Sequence, residues 1–349
     1  MLGDHAPDLI FVKFRTHVSD HVRDEVHRKH GGVRVDYLHQ IDVHLVRVPP
    51  GQVGEKVASY RGQTEVEYAE LNYTVQAEAI PNDPFWSYQW NMSRISAPQA
   101  WDVAKSDPGI IIAILDTGID LSHPDLAAKI VSSIDFTGSP SPSDAFGHGT
   151  PVAGIAAALT NNGVGVVGLG YLASLMNVKT MGDDGAGSYA QMAQGIIWAA
   201  DHGAKIISIS SGSPSPSSPV EAAINYAWGK GCVVVVAAGN QGSPTPWYPA
   251  YYQNAIAVAY TEITDQLNPD SNFGDWVDVA APGGPIWTTV KGGGYDYKSG
   301  TSMAAPHVAG LAALVWPLVI DGDGDGLVND EVRARIETTC EPLPGVTGI

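Results

Sequence analysis

Residues 110–120 read IIIAILDTGID, an unbroken apolar run that ends on an aspartate and a glycine. A strand with one wet face alternates apolar and polar residues. A short apolar run without alternation is instead a strand buried on both faces, as in a parallel sheet covered by helices on each side. Residues 204–210 (AKIISIS) and 232–238 (CVVVVAA) read the same way, and Ala-rich stretches of helical character occupy 148–159, 188–202, 220–230 and 301–315. This alternation predicts an open α/β sheet with helices on both faces, whose ligand site lies beyond the carboxyl ends of the strands. Asp116 and Asn240 each fall just past such an end.

The chain before this region has a different rhythm. A strand over 8–15 (DLIFVKFR), a helix over 20–30 closed by Gly31-Gly32, strands over 33–38 and 43–48, a helix over 51–60 and a strand over 66–75 give the order β-α-β-β-α-β. That order is the ferredoxin-like, split βαβ motif. The stretch AEAIPNDP reads as a linker, so the expected domains are 1–78 and 79–349.

At 349 residues, with 44% hydrophobic and 16% charged side chains, the chain can bury one large core and one small one. The 39 glycines and 24 prolines are scattered between apolar segments and point to defined turns. A net charge of -18 argues against nucleic acid, whose phosphates demand a basic face. No run approaches the ~18 apolar residues of a membrane span. The N-terminus MLGDHAPDLIFVKF lacks the basic start of a signal peptide, so an exported form would have lost its signal or had it replaced by Met1. The two cysteines, Cys232 and Cys340, are too few for a structural zinc site. Cys232, inside an apolar run, is expected to be an inert buried thiol. Whether it pairs with Cys340 cannot be read from spacing.

Three motifs carry the chemistry: ILDTGID around Asp116, FGHGTPVAG around His148 and SGTSMAAPHVAG around Ser302. A serine hydroxyl is a poor nucleophile until an imidazole takes its proton. The imidazole in turn needs a buried carboxylate to hold its tautomer and to stabilise the imidazolium. An aspartate at a strand end, with His148 and Ser302 at helix starts, can converge at one end of a sheet. At a helix N-terminus Ser302 also meets backbone N–H groups aimed at developing negative charge. His307, farther along the same helix, is expected to support it rather than to react.

Together the three motifs resemble those of the subtilisin-like serine proteases, with the order Asp, His, Ser of that family. The likeness runs from about Pro81 to Glu337. Pro151 stands where the family pattern usually continues HGTH, so the first helical turn after His148 is a point of departure, although proline is tolerated there. The resemblance implies that Asn240, in VVAAGNQG, donates to the oxyanion. It implies that Ser210, Ser211 and Gly212 pair with the substrate backbone, and that Ala237, Ala238 and Gly239 line the primary specificity pocket. Small residues there suggest an open pocket that takes sizeable apolar side chains before the scissile bond. Polypeptide substrates would then add as a strand, with broad specificity and an apolar preference.

Residues 321–332 (DGDGDGLVNDEV) place carboxylates at Asp321, Asp323 and Asp325, followed by Gly326. That spacing wraps hard oxygen ligands around one Ca2+, with a carbonyl from Leu327 and a side chain from Asn329. The twelfth position is Val332, not the bidentate glutamate of an EF-hand. A completing carboxylate would have to come from Asp330 or Glu331, or is missing, and the loop reads as an insertion. A second calcium site rests on resemblance alone: Asp83, Asp125 and Asn162 by side chain, and Leu159, Val164 and Val166 by carbonyl.

By resemblance, residues 8–76 are an inhibitory prodomain, cleaved near 76–79 and acting as an intramolecular inhibitor of a secreted, monomeric enzyme. An unrelated ferredoxin-like binding domain is the alternative for this part. For the whole chain the alternatives are a silent calcium-binding relative and a dedicated inhibitor. Seven of the 11 histidines lie in residues 1–78, at His5, His17, His21, His27, His30, His39 and His44. Histidine charges between pH 5 and 8, so acid is expected to weaken the fold or the grip of this domain.

Overall fold

Ile10, Val12 and Phe14 are fully buried, two residues apart along one strand, and the N-terminal sheet is built on that alternation. The computed structural model describes residues 5–74 and 80–343, in two units, Met1–Glu78 and Ala79–Ile349. The N-terminal unit runs β1 (His5–Phe14), α1 (Asp20–Lys29), β2 (Val33–Leu38), β3 (Val43–Arg47), α2 (Val53–Arg61) and β4 (Val66–Tyr73). Its sheet order is β2-β3-β1-β4, antiparallel throughout. α1 and α2 close one face through Val26, Val57 and Tyr60. Gly32 is needed there, because a Cβ would sit 2.2 Å from the Tyr60 hydroxyl.

The second unit begins with short helices α3 (Trp90–Arg94) and α4 (Ala97–Val103), followed by β5 (Ile111–Asp116) and β6 (Ile130–Asp135). After them come α5 (Gly149–Ala157), β7 (Ser174–Lys179), α6 (Tyr189–Asp201), β8 (Ile206–Ile209), α7 (Ser218–Gly229) and β9 (Val233–Ala237). The unit finishes with β10 (Ala255–Thr261), β11 (Val279–Pro282), a hairpin of β12 (Ile286–Val290) and β13 (Gly294–Lys298), α8 (Thr301–Val315) and α9 (Asn329–Thr339). Seven strands form one parallel sheet in the order β11-β10-β9-β8-β5-β7-β6.

The apolar run of β5 is divided between two cores. Ile112 and Ile114 pack with α5 and α8 on one face, and Ala113 and Leu115 with α6 and α7 on the other. β9 repeats this, with Val233 and Val235 on the first side and Val234 and Val236 on the second. α5 and α8 approach closely through small residues: a Cβ on Gly310 would lie 2.9 Å from the Ala156 carbonyl. Pro151 sits in the first turn of α5, where an N–H has no helical partner to lose, and its carbonyl accepts from Thr288 Oγ1 at 3.0 Å.

Both cysteines are free, Cys232 buried and Cys340 exposed, and burial pushes the Cys232 thiol up to about 11. No helix among the described residues is long and apolar enough to cross a membrane.

The N-terminal core contains two histidines. His27 Nε2 and His44 Nδ1 are 2.8 Å apart, and His27 Nδ1 is 3.0 Å from the Tyr60 hydroxyl. The Phe14 ring lies edge-on to both, and His44 is fully buried. Burial lowers both to about 4, helped at His27 by the neighbouring His44 and at His44 by Arg34. With both rings charged, two N–H groups would face each other. Between about pH 6.5 and about pH 4 the unfolded chain binds protons that the folded unit refuses. The stability of this unit should therefore fall as pH falls through that window and level off below it. Amide hydrogen exchange of residues 10–14 in a Ser302→Ala chain should accelerate on going from about pH 7 to about pH 5, after correction for intrinsic rates. His44→Leu should shrink that change, and protection independent of pH in both proteins would contradict it.

Candidate active site

β5 delivers Asp116 to the carboxyl end of the sheet, fully buried. Its Oδ1 accepts the Thr117 N–H at 2.7 Å and His148 Nδ1–H at 2.7 Å. His148 precedes the first turn of α5 and keeps 29% of its side chain exposed, so the ring has one buried edge and one open edge. The Asp116 charge raises the His148 pKa above its ordinary value, outweighing burial, and Asp144 adds to the effect. The approach to Asp116 requires glycine at 149, where a Cβ would lie 2.1 Å from the Gly118 carbonyl.

Ser302 opens α8 behind Gly300, whose φ of 124° excludes a side chain. Its hydroxyl donates to the Ser210 carbonyl at 3.3 Å, and Ser210 Oγ donates back to the Ser302 carbonyl at 3.4 Å. Pro306 explains the second bond. Having no N–H, it leaves the Ser302 carbonyl without its i+4 donor, and Ser210 fills the vacancy. Among the described residues no hydrogen bond joins Ser302 Oγ to His148, a looseness common before substrate binds.

Asn240 follows β9. Its side-chain oxygen accepts the Thr301 N–H at 2.8 Å and Thr301 Oγ1–H at 3.1 Å. Because a backbone N–H can only donate, this bond fixes the amide orientation and leaves the NH2 without a partner among the described residues. His307 is wholly enclosed: Nδ1–H donates to the Met303 carbonyl at 2.8 Å, and Nε2 accepts from Asn91 at 2.7 Å. Burial lowers it to about 4, so it is a neutral strut of α8.

Sequence reasoning missed three features. Buried Asp144 binds the N–H groups of Gly147 and Thr150 and the hydroxyls of Thr117 and Thr150, while Thr117 Oγ1 accepts from the His148 and Gly149 N–H groups. Trp247 joins residues 210–212, Ala237, Gly239, Asn240 and Ser302 around a pocket of about 90 Å³. A larger cleft of about 560 Å³ runs from residues 211–213 past Met181, Tyr189 and Met192. Only the Asp144 loop, four residues before His148, left a trace in the sequence.

The expected calcium ligands fall into two groups. Asp83 and Asp125 are buried and form no ion pair among the described residues, and burial raises both pKa values. Asn162 Nδ2 donates to Asp125 at 2.9 Å, and its side-chain oxygen accepts the Val164 N–H at 2.8 Å. The carbonyls of Leu159, Val164 and Val166 accept no hydrogen bond among the described residues.

In the acidic loop, Asp321, Asp323 and Glu331 bring carboxylate oxygens within 4.8 Å of one another. Asn329 and Asp325 lie apart from this group. Asn329 turns inward as the first residue of α9 and donates to the Trp228 carbonyl at 3.2 Å. Asp325 stands outside the three-carboxylate group and accepts the Leu327 N–H at 2.7 Å. The twelfth position is a core anchor, with Val332 fully buried, and Glu331 beside it turns to the loop.

This sheet, with a histidine hydrogen-bonded to a buried aspartate and a serine at a helix N-terminus, has the architecture of a subtilisin-like serine protease. Residues 107–348 match the Subtilase family and residues 2–72 match the fervidolysin N-terminal prodomain, and the chain belongs to the subtilase family. It is 40% identical over 345 residues to the thermophilic serine proteinase of Bacillus sp. (strain AK1), spanning 98% of this chain and 84% of that one. It is 48% identical over 267 residues to thermitase of Thermoactinomyces vulgaris, spanning 76% and 93%. A solved protease structure from Pseudoalteromonas arctica superposes with a TM-score of 0.68 at 32% identity, covering 77% of this chain and 94% of that one.

The raised His148 pKa can be checked by NMR titration of a Ser302→Ala chain. The ring should titrate above about 6.5, and Asp116→Asn should move it down by more than Asp144→Asn does, because Asp116 is the larger cause.

Proposed function

We propose that this chain is a calcium-dependent serine endopeptidase made as a self-processing zymogen, with Asp116, His148 and Ser302 as its triad and Asn240 in its oxyanion hole. The observation that carries the reading is the 2.7 Å bond from His148 to the buried Asp116. It occupies Nδ1 and leaves Nε2 as the nitrogen that can act as a base.

In the mechanism, His148 Nε2 takes the Ser302 proton as Oγ attacks the peptide carbonyl. The Asn240 NH2 and the Ser302 N–H stabilise the oxyanion, and Asp116 stays ionised and balances the imidazolium. His148 then protonates the leaving amine. Water, deprotonated by His148, attacks the ester carbonyl and frees the acid product and Ser302. For the hydroxyl to reach His148 it must first leave the Ser210 carbonyl, and an incoming substrate strand on residues 210–212 competes for that carbonyl. Main-chain pairing supplies affinity with little sequence choice. The cleft at Met181, Tyr189 and Met192 suits an apolar side chain farther along the substrate, which supports a broad specificity with an apolar preference.

Residues 1–78 act in this reading as folding aid and intramolecular inhibitor, removed by cleavage at 76–79, a stretch outside the described residues. The product is a secreted monomer acting on polypeptides. Calcium fits both acidic groups. At Asp83 and Asp125 two buried carboxylates lie beside free carbonyls and the Asn162 amide, a donor set for a hard cation that would offset their repulsion. At the loop, Asp321, Asp323 and Glu331 supply oxygens. Bound calcium would supply structural charge compensation only.

Ser302→Ala should lose at least ~10³-fold in turnover, resist fluorophosphonate labelling and remain at full length by mass spectrometry. Native-rate turnover in that protein would refute the assignment. Asp116→Asn should lower kcat by about 10⁴ while leaving the fold intact. Chelation should lower the melting temperature of the wild type and expose it to self-digestion, and Asp125→Asn should shrink the difference between chelated and calcium-loaded protein. Equal melting with and without calcium would remove calcium from the proposal.

A further inference from the structure

The pocket beside Ser302 and Asn240 is narrow because an indole forms one of its walls. Ser213 and Tyr248 exchange both backbone hydrogen bonds, at 2.8 and 2.9 Å, which fastens Trp247 alongside the 210–212 segment. A Cβ on Gly212 would lie 2.4 Å from Trp247 Nε1, and a Cβ on Gly239 would lie 3.1 Å from its Cγ. The ring thus reaches from one flanking segment to the other and rests on two glycines, whose missing side chains leave room for it. About 90 Å³ remains. An apolar cavity that accepts benzene measures about 150 Å³, so the space left is smaller than a phenyl ring requires and favours small side chains. The small residues at 237–239 suggest an open pocket only while this wall is out of view.

We propose that Trp247 restricts the residue before the scissile bond to alanine, serine and glycine, so that this protease cuts after small side chains. The inference rests on the serine endopeptidase reading above and narrows its apolar preference at that one position. The expected maturation stretch 76–79, QAEA, offers such residues in Ala77 and Ala79 and contains no large apolar side chain.

The test compares wild type and Trp247→Gly, each normalised by fluorophosphonate titration, on tetrapeptide p-nitroanilides ending in Ala or in Phe. Wild type should favour Ala in kcat/KM by at least about tenfold. The variant should shift the Phe-to-Ala ratio upward by at least about 10–200-fold, the range typical of room for a single methylene. Sequencing the peptides from a denatured protein digested by wild type gives a second readout that does not depend on the variant folding; cleavage after Ala, Ser and Gly is expected. A wild type that labels but cuts after Phe, Tyr or Leu as readily as after Ala overturns the pocket inference and leaves the hydrolase reading standing. So does an unchanged ratio in an active variant. A wild type that does not label overturns both.

Discussion

The Asp116 carboxylate is fully buried, and its burial constrains everything around it. An isolated carboxylate is expensive in a low-dielectric interior unless it is hydrogen-bonded to donors that favour its charged form. Here the Thr117 N–H and His148 Nδ1–H meet at one oxygen. Those two donors can be in place only if β5 ends where it does and α5 starts where it does. The Thr117 hydroxyl takes the next two N–H groups of the α5 entry, and Asp144 ties Thr117 to Thr150. Fully buried Lys179 donates to the Thr117 carbonyl and to Asp183, so β7 is locked to the same corner. The imidazole is therefore held by a polar network that spans three elements, the kind of preorganisation that an electrostatic site requires, while Asp116 Oδ2 stays buried with no partner among the described residues.

α8 solves a different problem. It must place Ser302, the proposed nucleophile, at its N-terminus while crossing the sheet closely enough to share a core with β5 and β9. Small residues allow the approach, and Pro306 frees a carbonyl that Ser210 then binds. One proline thereby couples the nucleophile's helix to the strand that would receive substrate. The Thr301 bonds to Asn240 make a second coupling, which sets the amide before any oxyanion forms.

Much of this was legible in the chain. The βαββαβ order of the N-terminal unit and the helices around His148 and Ser302 follow from periodicity, because burial on one face or on two writes itself directly into the residue pattern. Other elements were hidden. β7 reads SLMNVK, and its buried Asn177 and Lys179 look like surface residues until their partners are known: Ser133 and the Pro142 carbonyl for one, Thr117, Ser143 and Asp183 for the other. The calcium-loop pattern likewise gives no sign that Asn329 donates to the Trp228 carbonyl or that Glu331 joins Asp321 and Asp323. A spacing motif records which residues bear oxygen, while the start of α9 decides which way each one turns.

By itself the sequence determined the sheet class, the two-part organisation and the residue types needed for nucleophilic catalysis, all of which depend on local order and composition. The tertiary structure decided which histidines are enclosed together, which carbonyl holds the Ser302 hydroxyl, and that Trp247 narrows the pocket next to it. Each of these depends on segments far apart in the chain or on a side chain reaching across a gap. Close packing, which no local pattern encodes, settles such contacts.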